Sequence, residues 1–526
     1  MPVAVTIQTP FSRAPRGTSF AALMAAFLLA RSSAAAQSPP PSPSPSPSPQ
    51  TVSAPAAPRP LSLRGSFRAY DFTRQNASTG IGGAGQVNQQ SIELGLALHG
   101  DYRFANTPFS AGASYLVAVP TNGCTSPVSH LGPPCGKLKA PALNPDDSLP
   151  GFELNALYEA YVQYKDAHLY AKLGDQVFNT LWTSSSDTRI KPTAFQGADV
   201  VFSPSPVWSI EVADMVRFQG RVNSTFEKNT LMTSFPAGTA GTPANTFVPG
   251  GNSIPTAGLQ YARLAYAGTH GLVSSLHLYR FDDISNLVWL EARYTALGQR
   301  TKPFVAFHGG YERETGAAVL GKIFSTPVGV QAGGSVTRNV GITFSYERIP
   351  MRSDTIRLAA GDACGATQQL TVKKGTSFPY LLPVNAPQCI GNADGTTTIQ
   401  YGGFASPYTD GYGTDPLWLT SLTQSPIDRH APFSGPKIQA TWTSNDKRLI
   451  VYVTQSYLEY GNLFRSQLLS EVNADAQYFA SRMRAGVPYK GLLLRYRYGS
   501  RQVTNVTTYG GLPQFRYNRA QMEYDF

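Results

Sequence analysis

Beyond residue 36 the sequence has no apolar run of the roughly 20 residues that a helix needs to cross a bilayer. Sustained apolar patterning at i, i+3, i+4 and i+7 is also missing, so amphipathic helices are not expected to build the fold. Charged residues make up only 14% of the chain, and its net charge of +11 comes without a basic run interleaved with aromatics. That excludes a nucleic-acid surface and leaves either a solvated exterior or contact with anionic lipid head groups and lipopolysaccharide.

Cysteine is scarce, with four in 526 residues. Neither Cys124 with Cys135 nor Cys364 with Cys389 has C-x-x-C spacing or nearby histidines, so no metal site is expected. Each pair shares one Pro/Gly-rich segment, and two loop-stapling disulfides formed in an oxidising compartment are the expectation. Catalytic motifs are missing too: there is no G-x-S-x-G elbow and no H-E-x-x-H. Gly316 to Lys322 spells most of a phosphate-binding loop but ends in Ile323, where a magnesium-binding hydroxyl is needed, and leads into no helix. It reads as an external Gly-rich loop. No cofactor, no catalytic residue and no enzymatic activity are expected. A barrel lipid hydrolase with His277 or His308 as base stays open only because such sites form across strands.

Residues 1–36 read as an export signal, with Arg13 and Arg16, an apolar Phe20–Ala30 and a small-residue Ala34–Ala36 end. The apolar part is too short for a transmembrane anchor. Residues 37–60 carry the run SPPPSPSPSPSPQ, whose alternation favours extended polyproline II. This periplasmic linker could reach on the order of 70 Å, toward peptidoglycan.

From Leu61 to Phe526, segments of alternating apolar and polar residues are separated by turns. In SIELGLALHGDY, Ile92, Leu94, Leu96 and Leu98 share one face, and Glu93, Gly95, Ala97, His99 and Asp101 share the other. In ELNALYEAYVQYK the apolar face is Leu154, Ala156, Tyr158, Ala160, Val162 and Tyr164, opposite Glu153, Asn155, Glu159, Gln163 and Lys165. A secreted sandwich would bury the apolar face against a second sheet. A transmembrane barrel would turn it to lipid and fill the interior with polar groups.

The connections favour the barrel. Short ones (Asn106–Pro108, Asp166–Ala167, Gly268–Gly271, Asn445–Lys447) alternate with long ones, including Asn179–Ala194, Gln219–Thr256 and the region Met351–Pro432. The count is about 18 antiparallel strands, with boundaries open near Gly316–Val330 and Leu417–Gly435. The expected fold is therefore all-β, a bacterial outer-membrane barrel over residues 61–526. RAQMEYDF ends the chain with Met522, Tyr524 and Phe526 on one face, like the terminal strand read by the barrel-assembly machinery. Tyr70, Tyr115, Tyr164, Tyr266, Tyr346 and Tyr457 suit interfacial girdles.

GDQVFNTLWTSSSDTRIKPTAFQGADVVFSP resembles the OprD-type porin family, through Ser186, Asp187, Arg189, Pro192, Phe195 and Gly197. FRAYDFTR and VPYKGLLLRYRYG also look like that family. The resemblance implies a porin, a monomer or loose homotrimer, passing small solutes that often bear a carboxylate. It implies a loop after the fifth strand folded inward. Because Leu181 and Trp182 can pack that loop against the wall, Asp187, Arg189 and Lys191 are expected at the constriction, with Arg189 opposite Arg495 and Arg497. Strand phase supplies a basic ladder of Arg495, Arg497, Arg501, Arg64, Arg68, Lys172, Arg217, Arg293, Lys437 and Arg519. Rings of such residues favour anions, and guanidinium matches carboxylate bidentately. The same phase places Glu93, Glu159, Glu211, Glu291, Glu347 and Glu523 inside, where they can pair with the ladder. A structural or adhesive barrel tied to the wall by its linker is the remaining alternative.

Overall fold

A computed structural model describes residues 60–526 except 79–85, 122–142, 145–152, 184–189, 222, 234–252, 367, 369, 372–378, 382–388, 402–403, 410–414, 423–431, 461–466, 481–490 and 504–514. The signal, most of the Ser-Pro linker, Cys124 and Cys135 lie outside the described residues.

The principal sheet has twenty members, two of which (Leu143–Asn144 and Phe324–Ser325) are two-residue attachments. The other eighteen form the wall. In chain order they begin β1 Leu61–Ser78, β2 Gln86–Arg103, β3 Phe109–Pro120, β4 Leu154–Lys165, β5 Leu169–Gln176 and β6 Ala194–Ser205. Next come β7 Trp208–Gln219, β8 Leu259–Ala267, β9 Leu272–Phe281, β10 Ser285–Thr295, β11 Phe304–Glu314 and β12 Val328–Ser335. The last are β13 Val340–Ile349, β14 Phe433–Thr443, β15 Leu449–Tyr460, β16 Gln467–Phe479, β17 Gly491–Val503 and β18 Phe515–Asp525.

Each strand pairs antiparallel with its sequence neighbours, and β18 returns to β1 with Tyr524 opposite Phe67 and Gln521 opposite Tyr70. Closure leaves the wall no free edge. At the seam, Gly65 and Phe526 exchange backbone hydrogen bonds of 3.1 and 2.9 Å. A Cβ at Gly65 would stand 2.3 Å from the Phe526 ring, so only glycine lets the terminal aromatic lie across the first strand.

Period-2 alternation sorts the side chains. Leu94, Leu96 and Leu98 are exposed on the outside, while Glu93 is buried within. Val288, Leu290 and Tyr294 likewise face out, and Leu287 and Trp289 face in.

Two of the register shifts in the wall move residues that strand phase assigns to the other face. Ser114 pairs with Glu159 but Tyr115 pairs with Leu157, so Tyr158 is the extra residue. Leu154, Ala156 and Tyr158 therefore turn to the interior, and Glu159 points there too. The expected lipid face of this segment holds only from Ala160 onward. In β7, Gln196 pairs with Arg217 and Gly197 with Met215, leaving Val216 extra. Met215 and Phe218 are both inside, and Arg217 is exposed on the outer side. Arg217 thus leaves the expected ladder.

Tyr115, Tyr346 and Tyr457 are exposed on the outside as a girdle requires. Tyr266 packs on Trp208 at 4.8 Å, and the Tyr164 hydroxyl donates to Asp166 at 2.7 Å. Tyr70 instead faces inward and is buried, with the Arg519 guanidinium 5.0 Å over its ring.

Short connections cluster at the end of the wall that holds Leu61 and Phe526, and long ones at the other. Exceptions are the β9–β10 connection, only residues 282–284, at the long-loop end, and the β16–β17 connection, residues 480–490, at the short-turn end. At the two open boundaries the wall strands begin late, β12 at Val328 and β14 at Phe433.

Candidate functional site: the lumen and the loops that narrow it

The loop from β5 to β6 enters the barrel. Its first part, with Phe178 and Trp182 buried, lies against the inner faces of β8 to β10. The Trp182 ring stands 4.9 Å from that of Trp289, nearly perpendicular, and its backbone N–H donates to the Tyr279 hydroxyl at 3.4 Å. Its last part reaches β2, where a Cβ on Gly95 would meet Ile190 at 2.8 Å. Asp187 and Arg189 lie outside the described residues. Lys191 is fully buried and donates to Gln219 Oε1 at 2.9 Å and to the Pro192 carbonyl at 3.1 Å. Burial pushes its ammonium down to about 7. It holds the loop to the wall and is not a lining charge.

A second inward segment lies within residues 404–422 of the β13–β14 connection, where length alone predicts a long external loop. Wall carboxylates hold it by accepting its donors. Ala405 N–H donates to Glu312 at 2.9 Å, Leu419 N–H to Glu347 at 2.9 Å and the Ser421 hydroxyl to Glu471 at 2.6 Å. Lys437 donates to the Trp418 and Thr420 carbonyls at 2.8 and 3.0 Å. Trp418 stacks on His308 at 3.9 Å, and His308 bonds Glu347 at 2.6 Å.

Phe404 reaches Trp182 at 4.4 Å, so the two loops meet inside the barrel. Among the other described residues of the connection, Arg352–Ile356, Thr397–Tyr401 and Cys389–Gly391 form a small external sheet, stapled by the Cys364–Cys389 disulfide. Lys322, the end of the phosphate-loop look-alike, pairs there with Asp354 at 2.9 Å. The sequence did carry a signal for the second loop: FASPY and LWLTSL are too apolar for a solvated connection.

With that side filled, the charged residues of β16 to β18 and β1 to β5 line the remaining wall. Arg495 makes two bonds to Asp475, and Arg497 donates to the same carboxylate at 2.9 Å. Arg68 pairs with Glu523 at 2.8 Å, Arg64 with Asp101 at 2.8 Å and Lys172 with Glu159 at 3.1 Å. Arg519 donates to Gln521 at 2.6 Å, and Arg501 lies buried 5.3 Å over Phe515. Near the short-turn end, Arg293 covers the Phe304 ring at 3.7 Å. Arg495, Arg497, Arg519 and Arg68 thus form one neighbourhood, since Arg497 is in register with Arg519 and Arg68 with Glu523. The sequence showed no acid between Arg495 and Arg497 on their own strand. Asp475 comes from the neighbouring strand, where it sits opposite Arg497.

No family model and no curated protein matches the chain. Solved structures do. The outer-membrane protein OpdK of Pseudomonas aeruginosa is 12% identical, with a TM-score of 0.57 over 89% of this chain and 98% of its own. OccK8 (OprE) of the same organism gives 0.60 at 10% identity, covering 89% and 98%. OccAB3 of Acinetobacter baumannii gives 0.58 at 12%, covering 89% and 99%. OpdK has also been crystallised with vanillate. The chain therefore has the fold of these proteins, a closed antiparallel barrel of eighteen strands.

Proposed function

We propose that the protein is a porin of a bacterial outer membrane through which small solutes, including carboxylates, diffuse passively. The observation that carries this reading is the division of the lumen. Two loops fill one side, and a wall of paired but predominantly basic groups lines the other. Arg495 and Arg497 share one carboxylate, so the trio keeps a net positive charge. A passing anion meets guanidiniums already held in place, which lowers the barrier to its entry. The vanillate-bound OpdK structure supports a carboxylate as the solute type. The outward apolar faces and the exposed Tyr115, Tyr346 and Tyr457 suit lipid. The signal, the linker reaching toward peptidoglycan, the reading of Phe526 by the assembly machinery and a monomeric or loosely trimeric state belong to the same proposal.

Swelling of proteoliposomes tests it. Benzoate should enter faster than a neutral sugar of similar size. Vesicles that swell with neither would refute the channel, and equal rates would remove the carboxylate preference.

A further inference from the structure

His99 stands on the open side of the lumen in a closed chain of hydrogen bonds. Its Nε2 is 2.7 Å from Asp101 Oδ2, and its Nδ1 is 2.5 Å from Ser114 Oγ. The Ser114 hydroxyl donates to Glu159 Oε2 at 2.6 Å. Glu159 Oε1 already accepts from Lys172 at 3.1 Å and from the Val177 N–H at 3.2 Å. Asp101 accepts from the Tyr161 hydroxyl at 2.7 Å and from Arg64 at 2.8 Å. Both carboxyls are surrounded by donors and are therefore ionised.

The proton inventory then fixes the ring. Ser114 has spent its only hydrogen on Glu159, so its oxygen accepts from His99 Nδ1–H. Asp101, as a carboxylate, accepts from Nε2–H. Both ring nitrogens donate, and a histidine with two donors is an imidazolium. The same inventory removes Ser114 as a nucleophile, because its hydroxyl is fully buried and no ring nitrogen is free to take its proton.

The titratable and charged groups facing His99 are Arg64 on β1, Asp101 on its own strand, Glu159 and the neutral Tyr161 on β4 and Lys172 on β5. With the imidazolium, three cations face two carboxylates. Without it the cluster is neutral. His99 and Asp101 remain partly open to the lumen, at 18% and 25% side-chain exposure, so a passing ion feels the difference.

We propose that His99 is a proton-titrated selectivity element of this pore, supplying a positive charge that is lost as pH rises. The inference rests on the channel reading above. Histidine is the side chain suited to change charge near neutrality. One unit charge about 8 Å from the path, in a water-like medium, changes ion occupancy roughly twofold.

The test is the reversal potential of the purified full chain in a salt gradient, recorded from pH 5 to 9. In the wild type, anion preference should fall in one step of roughly twofold. His99→Gln should hold the low preference and His99→Lys the high one, both without the step. The gel mobility shift on heating confirms that each variant has folded. A wild type that conducts with a pH-independent reversal potential overturns the inference, as does a step that survives in both variants. A wild type with no current at any pH overturns the channel reading instead.

Discussion

Arg495 grips Asp475 across the β16–β17 ladder with two donated hydrogen bonds, Nε to Oδ1 at 2.9 Å and Nη2 to Oδ2 at 2.6 Å. Arg497 adds a third, to the same Oδ2. One carboxylate therefore orients two guanidiniums toward the open side of the lumen, and removing it should unmask a charge. Asp475→Asn should raise the ratio of anion to cation permeability roughly threefold, the Coulomb effect of one charge about 6 Å from the path in water. Replacing Arg495 and Arg497 together by alanine should lower it and weaken block by small carboxylates. Both effects should shrink in 1 M salt, where the Debye length is about 3 Å. Unchanged selectivity in both variants would reduce the wall to a sieve.

Trp182 and Phe404 join the two inward loops. Trp182→Ala should increase single-channel conductance and destabilise the loop packing by about 3–5 kcal/mol, as for other buried Trp or Phe truncations. The barrel wall, closed by its own ladder, should remain folded. Conductance recorded beside the heat-modifiability temperature checks both parts. A variant with wild-type conductance would show that the loops do not meet in the conducting path.

The alternation is legible because lipid and lumen demand opposite chemistry at successive residues, and SIELGLALHGDY obeys it end to end. A single inserted residue is not legible in that way. Val216 and Tyr158 shift the phase while leaving composition unchanged, which is how Arg217 was placed inside and Leu154 outside. Partners from neighbouring strands escape a reading along one strand, and Asp475 between Arg495 and Arg497 is the clearest case. The second inward loop was missed because its anchors, Glu312 and Glu347, lie far along the chain from Ala405 and Leu419.

The Cys364–Cys389 bond staples the external sheet, not the barrel. Replacing both residues by serine should leave the gel shift of the barrel in place and expose the external segment to protease. A loss of about 2–4 kcal/mol is expected within that segment. Peptide mapping of the unreduced protein should also join Cys124 to Cys135, and a Cys124–Cys389 peptide would contradict that pairing.

Asp166 closes the β4–β5 turn. The His168 N–H, the Tyr164 hydroxyl and the Leu169 N–H donate to its carboxylate and hold its pKa down to about 2. A depressed carboxylate favours the fold above its unfolded value of 3.8 and loses that contribution as pH falls toward 2. The turn should therefore stay intact at mildly acidic pH and loosen only near pH 2. Carbon-13 titration of the Asp166 carboxyl checks this, and a midpoint near 3.8 would show that the turn bonds are not formed.

Single-channel recording of the purified chain in a planar bilayer with a salt gradient bears most directly on the pore. The account predicts discrete conductance steps and a reversal potential displaced to the anion-selective side at neutral pH. A bilayer that stays silent with folded, heat-modifiable protein inserted, or a reversal potential on the cation-selective side, would contradict it.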